Sequence, residues 1–275
     1  MTYIFLALIF IVTVILYLFL IILNEDYNTE YVNPNFISND IPKDPDIKVK
    51  IYQADNRVNL DFLLLSQKVN QMNCDHFGFE YEFVKMDSSM YQNVSNYMTK
   101  KVYLLYDLLL KSDCDFIMFL DSDAWIKNGK WVKDIIYNMY NNKNIHGAFS
   151  RDPYYIRYVT YINSGVFILK VNDFTKNMYK KIIEELENYP KYHNIFPHDQ
   201  FYISNFVYQN KYNFYVFKPT IMNTPSGTVV THNWKKDKRM YNDLNNIIKN
   251  GIKIDIYDFN IQDNLDKKIY KPSFK

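Results

Sequence analysis

The sequence predicts an α/β domain built on a mainly parallel sheet with helices on both faces, carried behind an N-terminal transmembrane helix. Three observations lead there. Strand-like and helix-like patterns alternate from Lys48 to Leu120, the order that builds a parallel sheet covered on both sides. The last of these strands, Phe116 to Leu120, is a continuous apolar run, which is how a strand buried on both faces reads. The chain also opens with an uncharged stretch, Tyr3 to Leu23, long enough at ~1.5 Å per residue to cross a hydrocarbon core of about 30 Å.

That opening stretch lacks the basic start and small-residue cleavage site of a signal peptide, so residues 1–23 read as a permanent anchor. No Lys or Arg precedes it, while Glu25, Asp26 and Glu30 follow. The positive-inside rule therefore has little to count, and only the α-amino group favours a cytosolic N-terminus and a type II, single-pass topology. Residues 24–46 are polar and carry Pro34, Pro42 and Pro45, the composition of a stem. The folded domain is expected over 47–240, with a C-terminal helix and tail over 241–275.

Within the domain, Lys48 to Tyr52 alternates as a strand and Phe62 to Met72 reads as a helix, with Gly78 a plausible stop. Phe79 to Val84 alternates as a second strand, and Tyr103 to Leu110 is a strongly apolar helix leading into Phe116 to Leu120. Further on, Ile162 to Lys170 is a polar turn feeding a strand, Phe201 to Val207 a helix, and Thr228 to His232 a short strand. A composition of 48% hydrophobic and 23% charged residues is that of a globular chain, not a disordered one. A net charge of +2, with no dense basic stripe, argues against nucleic acid as the main partner. Two cysteines, Cys74 and Cys114, exclude a disulfide framework and a cysteine-based zinc site; one bridge or two buried thiols remain, and thiols are the favoured reading.

The chemistry concentrates where the apolar run ends, at Asp121-Ser122-Asp123. Alternate residues of an extended chain face the same way, and ligands of open α/β sheets gather beyond the carboxyl ends of the strands. Two carboxylates there suit a hard divalent cation that also takes phosphate oxygens and water. A solvated turn is the plain alternative, and the same spacing recurs at Asp44/Asp46 and Asp113/Asp115. Only the copy at 121 and 123 ends a buried strand. Four further pieces follow: Asn163-Ser164-Gly165, Asp199-Gln200, His232, and the pair Lys235 and Lys236. On its own Asp199 reads as an N-cap, His232 as a structural histidine, and the lysines as a solvated face.

Taken in order, these motifs resemble the GT-A glycosyltransferases. The resemblance is to the family of plant xyloglucan xylosyltransferases, galactomannan galactosyltransferases and yeast Golgi α-mannosyltransferases. It spans roughly Lys48 to Arg239 and includes Asn73 to Gly78, Lys100, the Asp121-Ser122-Asp123 motif, Arg151-Asp152, Asn163-Ser164-Gly165, Asp199-Gln200 and His232. It implies a Rossmann-like nucleotide-diphosphosugar transferase fold, with Asp121, Asp123 and His232 holding Mn²⁺ or Mg²⁺. It implies donor contacts from Lys100, Ser122, Asp152, Asn163, Gly165, Lys235 and Lys236. Gln200 would lie near the anomeric carbon, with Asp199 binding sugar hydroxyls or, in an inverting enzyme, acting as base. The expected reaction moves a hexose or pentose from a nucleotide-diphosphate sugar (UDP-sugar favoured over GDP-mannose) to a glycan or glycoprotein acceptor, with retention. Such enzymes sit in the Golgi or ER membrane with the domain lumenal. Two other readings stay open: a haloacid-dehalogenase-like phosphatase, which also places Asp-x-Asp after an apolar strand, and an inactive membrane-anchored sugar-binding protein.

Overall fold

The structure is a computed structural model that describes residues 46–153, 158–189, 198–234, 238–252, 254, 257–269 and 271–274. The expected anchor, nearly all of the stem, and Lys235 and Lys236 lie outside these. Among the described residues no helix is long and apolar enough to cross a membrane.

The chain order is β1 (Val49–Asp55), α1 (Asp61–Phe77), β2 (Glu80–Lys85), α2 (Tyr97–Lys111), β3 (Phe116–Asp121), β4 (Ala124–Ile126) and α3 (Gly129–Asn141). It continues with β5 (Gly147–Arg151), β6 (Tyr158–Val159), β7 (Ile162–Lys170), α4 (Asp173–Asn188), α5 (Asp199–Gln209) and β8 (Phe214–Phe217). It ends with α6 (Pro219–Met222), β9 (Val230–His232), α7 (Arg239–Asn250), α8 (Ile261–Asn264) and β10 (Ser273–Phe274). Side chains start several helices: Asn96, Asn128 and Asn172 each accept from backbone N–H groups of the first turn, satisfying donors the helix cannot. Gly78 stops α1 in the left-handed region at φ 75°, where glycine pays no steric penalty.

The main sheet has the order β2-β1-β3-β7-β5-β8. Pairings are parallel except where β7 meets β3 and β5. The sheet is thus mostly parallel, as expected, with one strand reversed. That reversal carries the start of β7 to the rim where β3 ends. Helices α2, α4 and α5 pack together on one side, and α1, α3 and α7 on the other. Phe116 to Leu120 are accordingly buried throughout. A second ladder, β4 against β9, pairs Ala124 with His232. The C-terminal helix starts at Arg239 and is part of the domain: Met240 and Leu244 close a small core with Val69 and Trp125. Cys74 and Cys114 are separate thiols, and burial pushes Cys74 up to about 12.

Candidate active site

Three backbone features bring Asp121, Asp123 and His232 together. Asp121 closes β3, the chain turns at Ser122 and Asp123, and β4 then pairs with β9 so that His232 lies beside the turn. The Asn233 amide donates to the Asp123 carbonyl at 2.9 Å and extends the ladder past His232. His232 Nε2 is 3.3 Å from Asp123 Oδ1 and 3.8 Å from Asp121 Oδ2. One ligand atom from each residue lies within 4.8 Å of the other two. Nδ1 of the ring meets Asn223 Oδ1 at 3.0 Å. An amide oxygen can only accept, so the ring donates through Nδ1, and Nε2 is the nitrogen that meets the carboxylates and that the neutral ring would offer to a metal.

The donor set fits a divalent cation. Asp121 and the neighbouring Asp199 face one buried ammonium, that of Lys101, which pairs with Asp121 Oδ1 at 3.3 Å and Asp199 Oδ2 at 3.1 Å, while Asp123 faces the His232 ring. With the His232 ring neutral, as a metal ligand requires, these three carboxylates against the one buried lysine leave a formal excess of negative charge that a divalent ion would balance. Burial is the largest influence on Asp121, Asp123, Lys101 and His232. It drives the Asp121 carboxyl upward despite Lys101 and His232. For Asp123 burial also acts upward, but the His232 ring and Arg57 outweigh it and hold the carboxyl below its ordinary value. Burial would lower Lys101 and His232, yet the facing carboxylates raise both. Space is equally committed: a Cβ on Gly165 would stand 2.3 Å from His232 Cε1 and 2.6 Å from Asp121 Oδ2.

The lysine is a correction to the sequence reading. Lys100 turns away, donating to the Ser88 carbonyl at 2.9 Å, whereas Lys101 points inward and also reaches the Ser164 carbonyl at 3.2 Å. Adjacent helical residues are rotated by about 100°, so two consecutive lysines cannot be ranked without knowing which face packs on the sheet.

The other candidates form a connected network beside the triad. Gln200 Nε2 donates to Asp152 Oδ2 at 2.6 Å and to Thr160 Oγ1 at 2.9 Å. Its Oε1 accepts from Asn163 Nδ2 at 3.1 Å and from the Ser164 amide at 3.3 Å. Thr160 Oγ1 in turn donates to Asp152 Oδ2 at 2.5 Å, and the Gly165 amide to Asn163 Oδ1 at 2.8 Å. Asp199 is the first residue of α5, not its cap, and Oδ2 accepts from Ser164 Oγ at 2.9 Å as well as facing Lys101. At 3% exposure it is poorly placed to serve as a base.

A cavity of about 580 Å³ opens at this rim. Lys101, Asp121, Asp123 and His232 line one side of it, and Phe62, Tyr97, Met98, Trp234 and Tyr241 give apolar walls. Asn163 belongs to the lining, while Asp152, Asp199 and Gln200 do not. Ser122 lines it too, and so do Arg57 and Lys238, cations the sequence reading missed. Arg57 holds Asp55 Oδ2 through Nη2 at 2.8 Å, and that pairing keeps Asp55 ionised below the ordinary carboxylate range against the opposing effect of burial. Asp55 ends β1 and Arg57 follows two residues on, so the rule that singled out Asp121 could have found this pair.

No protein-family model matches the chain, and no curated protein sequence matches it. Among solved structures it is similar to a glycosyltransferase involved in the glycosylation of the major capsid of PBCV-1. The two share 15% identity and a TM-score of 0.56 over 70% of this chain and 99% of that one. GlyE, a glycosyltransferase of Streptococcus pneumoniae TIGR4, aligns at 12% identity and a TM-score of 0.47 over 76% of this chain and 65% of that one. The first likeness shows a shared fold, the mostly parallel α/β arrangement expected of a GT-A domain.

Proposed function

We propose that the chain is a metal-dependent glycosyltransferase that moves a hexose or pentose from a nucleotide-diphosphate sugar to a hydroxyl of a glycan or glycoprotein acceptor. The observation that carries this reading is the convergence of Asp121, Asp123 and His232 in a cavity at the sheet's rim. Three protein ligands leave coordination positions for phosphate oxygens, and the imidazole nitrogen favours Mn²⁺ over Mg²⁺. When bound, such a cation stabilises charge developing on a diphosphate leaving group. Arg57 and Lys238 line the same cavity and would neutralise what remains of that charge. The aromatic walls offer flat apolar surface for a base, and UDP is our preferred carrier. Lys101 holds Asp121 and Asp199 in place, while Asp152, Asn163 and Gln200 brace one another toward the sugar side.

Every hydrogen-bonding position of the Gln200 amide is engaged, so its carbonyl dipole is held in one orientation. With Asp199 tied to Lys101 and Ser164, the candidate named as a base is already engaged, which is in keeping with retention. The N-terminal anchor and a lumenal Golgi or ER location belong to the same proposal and rest on the stretch Tyr3 to Leu23 alone.

The test is a thermal-shift panel of UDP and GDP with and without Mn²⁺, followed by transfer assays on a range of nucleotide sugars. Binding to the native state should raise the melting temperature, most with UDP and Mn²⁺ together. Asp121→Ala and His232→Ala should lose both the shift and the transfer. Phosphate release without sugar transfer would favour the phosphatase reading, and sugar binding without turnover the inactive one.

A further inference from the structure

The turn that carries Asp121 and Asp123 leaves the main sheet, so the carbonyls of 121, 122, 124 and 126 need partners the main sheet does not supply. They find them in buried side chains. Gln53, on β1 and fully buried, places Nε2 3.1 Å from the Asp121 carbonyl, 3.2 Å from that of Ser122 and 3.2 Å from that of Ala124. Ser66 Oγ donates to the Ser122 carbonyl at 3.1 Å. Asn70 spans both sides of β4, donating to the Ala124 carbonyl at 3.2 Å and accepting from the Ile126 amide at 2.9 Å. Asn73 Nδ2 reaches the Ile126 carbonyl at 3.2 Å.

Ser66, Asn70 and Asn73 are spaced four and three apart on α1, so they form one stripe of that helix. The orientation of Gln53 is determined as well. Tyr81 donates its hydroxyl to Oε1 at 2.7 Å and Asn70 Nδ2 donates to it at 3.3 Å; the opposite flip would set that oxygen against three carbonyls.

Fully buried polar side chains are costly unless satisfied, and an all-apolar interface between α1 and the sheet would pack as well. These side chains instead converge on one backbone segment, the one bearing both acids. Asp121 ends β3 and the chain turns at Ser122 and Asp123, bringing ligand atoms of the two acids within 4.8 Å against the mutual repulsion of their carboxylates.

We propose that Gln53, Ser66 and Asn70 are positioning residues: a buried clamp that sets the Asp121–Asp123 turn in metal-binding shape before any ligand arrives. The inference rests on the proposed metal-dependent reading of the site. Its test compares Ser66→Ala and Gln53→Met with Thr175→Ala, which loses a helix capping box on α4 and serves as a stability-matched control. Two quantities are read on each protein: Mn²⁺ affinity by titration, and amide hydrogen exchange in the metal-free state. The clamp variants should bind Mn²⁺ about 10–100-fold more weakly and exchange faster over 121–126 only; the control, at a similar loss of melting temperature, should do neither. Unchanged Mn²⁺ affinity, or faster exchange spread evenly over the domain, overturns the clamp. Should the unaltered protein bind no Mn²⁺, the functional reading fails, and exchange alone then decides the clamp: loss of protection at 121–126 upholds it, and unchanged protection rejects it. If Gln53→Met does not fold, Ser66→Ala carries both measurements.

Discussion

Gly165 and the adjacent lysines of α2 make the sharpest demands at the scale of single residues. The space beside Gly165 is already taken by the His232 ring and the Asp121 carboxylate, so Gly165→Ala must displace one of the two ligands. We expect that variant to fold and to lose Mn²⁺ binding and transfer, as read by titration and activity assay. The lysines should separate cleanly. Lys101→Met strands the buried Asp199 carboxylate and removes the partner of the half-buried Asp121, and breaking a buried pair costs about 3–5 kcal/mol. Lys100→Met removes one charge-assisted hydrogen bond to a carbonyl, worth about 1.5–3 kcal/mol, and a contact over the Tyr97 ring. Denaturant unfolding of both variants checks the order, and equal losses would return Lys100 to candidacy. Asn163 and Gly165 were legible as residue types, because a strand opening on Asn-Ser-Gly announces a polar turn with room for close approach. Lys101 was not, since its neighbour has the same chemistry and differs only in helical phase.

Among the elements, β7 decides most. Its motif stands at the start of a strand, yet the triad's motif stands at the end of β3. Only the antiparallel pairing of Leu120 with Val166 puts both at one rim. A run of alternating strands and helices implies parallel neighbours, and nothing in the apolar pattern of Val166 to Leu169 marks a reversed strand. The same reversal leaves Lys170 at the opposite rim, where burial lowers its ammonium to about 8 from an ordinary 10.5 and Nζ donates to the Asn142 carbonyl at 2.8 Å. Between those two values the unfolded chain holds a proton that the folded chain has released, so stability rises with pH through that window. The melting temperature of the native protein, measured against Lys170→Met, should therefore climb from pH 8 toward pH 10. A flat difference would mean that the buried amine keeps its ordinary affinity for protons.

Across the whole molecule, the cavity depends on parts far apart in sequence. Its metal-site acids come from the end of β3 and the turn after it, its imidazole from β9, and an aromatic wall from α7 through Tyr241. Helix α7 is held by Leu244, which is fully buried against Val69, Trp125 and Met240. Leu244→Ala should cost about 2–5 kcal/mol by cavity creation and, by loosening α7, weaken nucleotide binding more than Mn²⁺ binding. Comparing nucleotide and Mn²⁺ titrations of that variant separates the two, and equal losses would show that α7 does not shape the nucleotide end. The expected boundary at 240 is crossed by this helix because its apolar face finds its partner on α1, a contact that no local pattern signals.

The alternating strands and helices from Lys48 to Leu120, the buried central strand, the acids at its end and the short polar motifs further on were legible in the sequence alone, because periodicity and strand-end chemistry are local properties. Tertiary structure decided which lysine faces the acids, which strand is reversed, and that a histidine more than a hundred residues downstream meets the aspartates through the β4–β9 ladder. Those outcomes depend on pairing and packing between distant segments, and the free energy of such pairing is not written in any one stretch of chain.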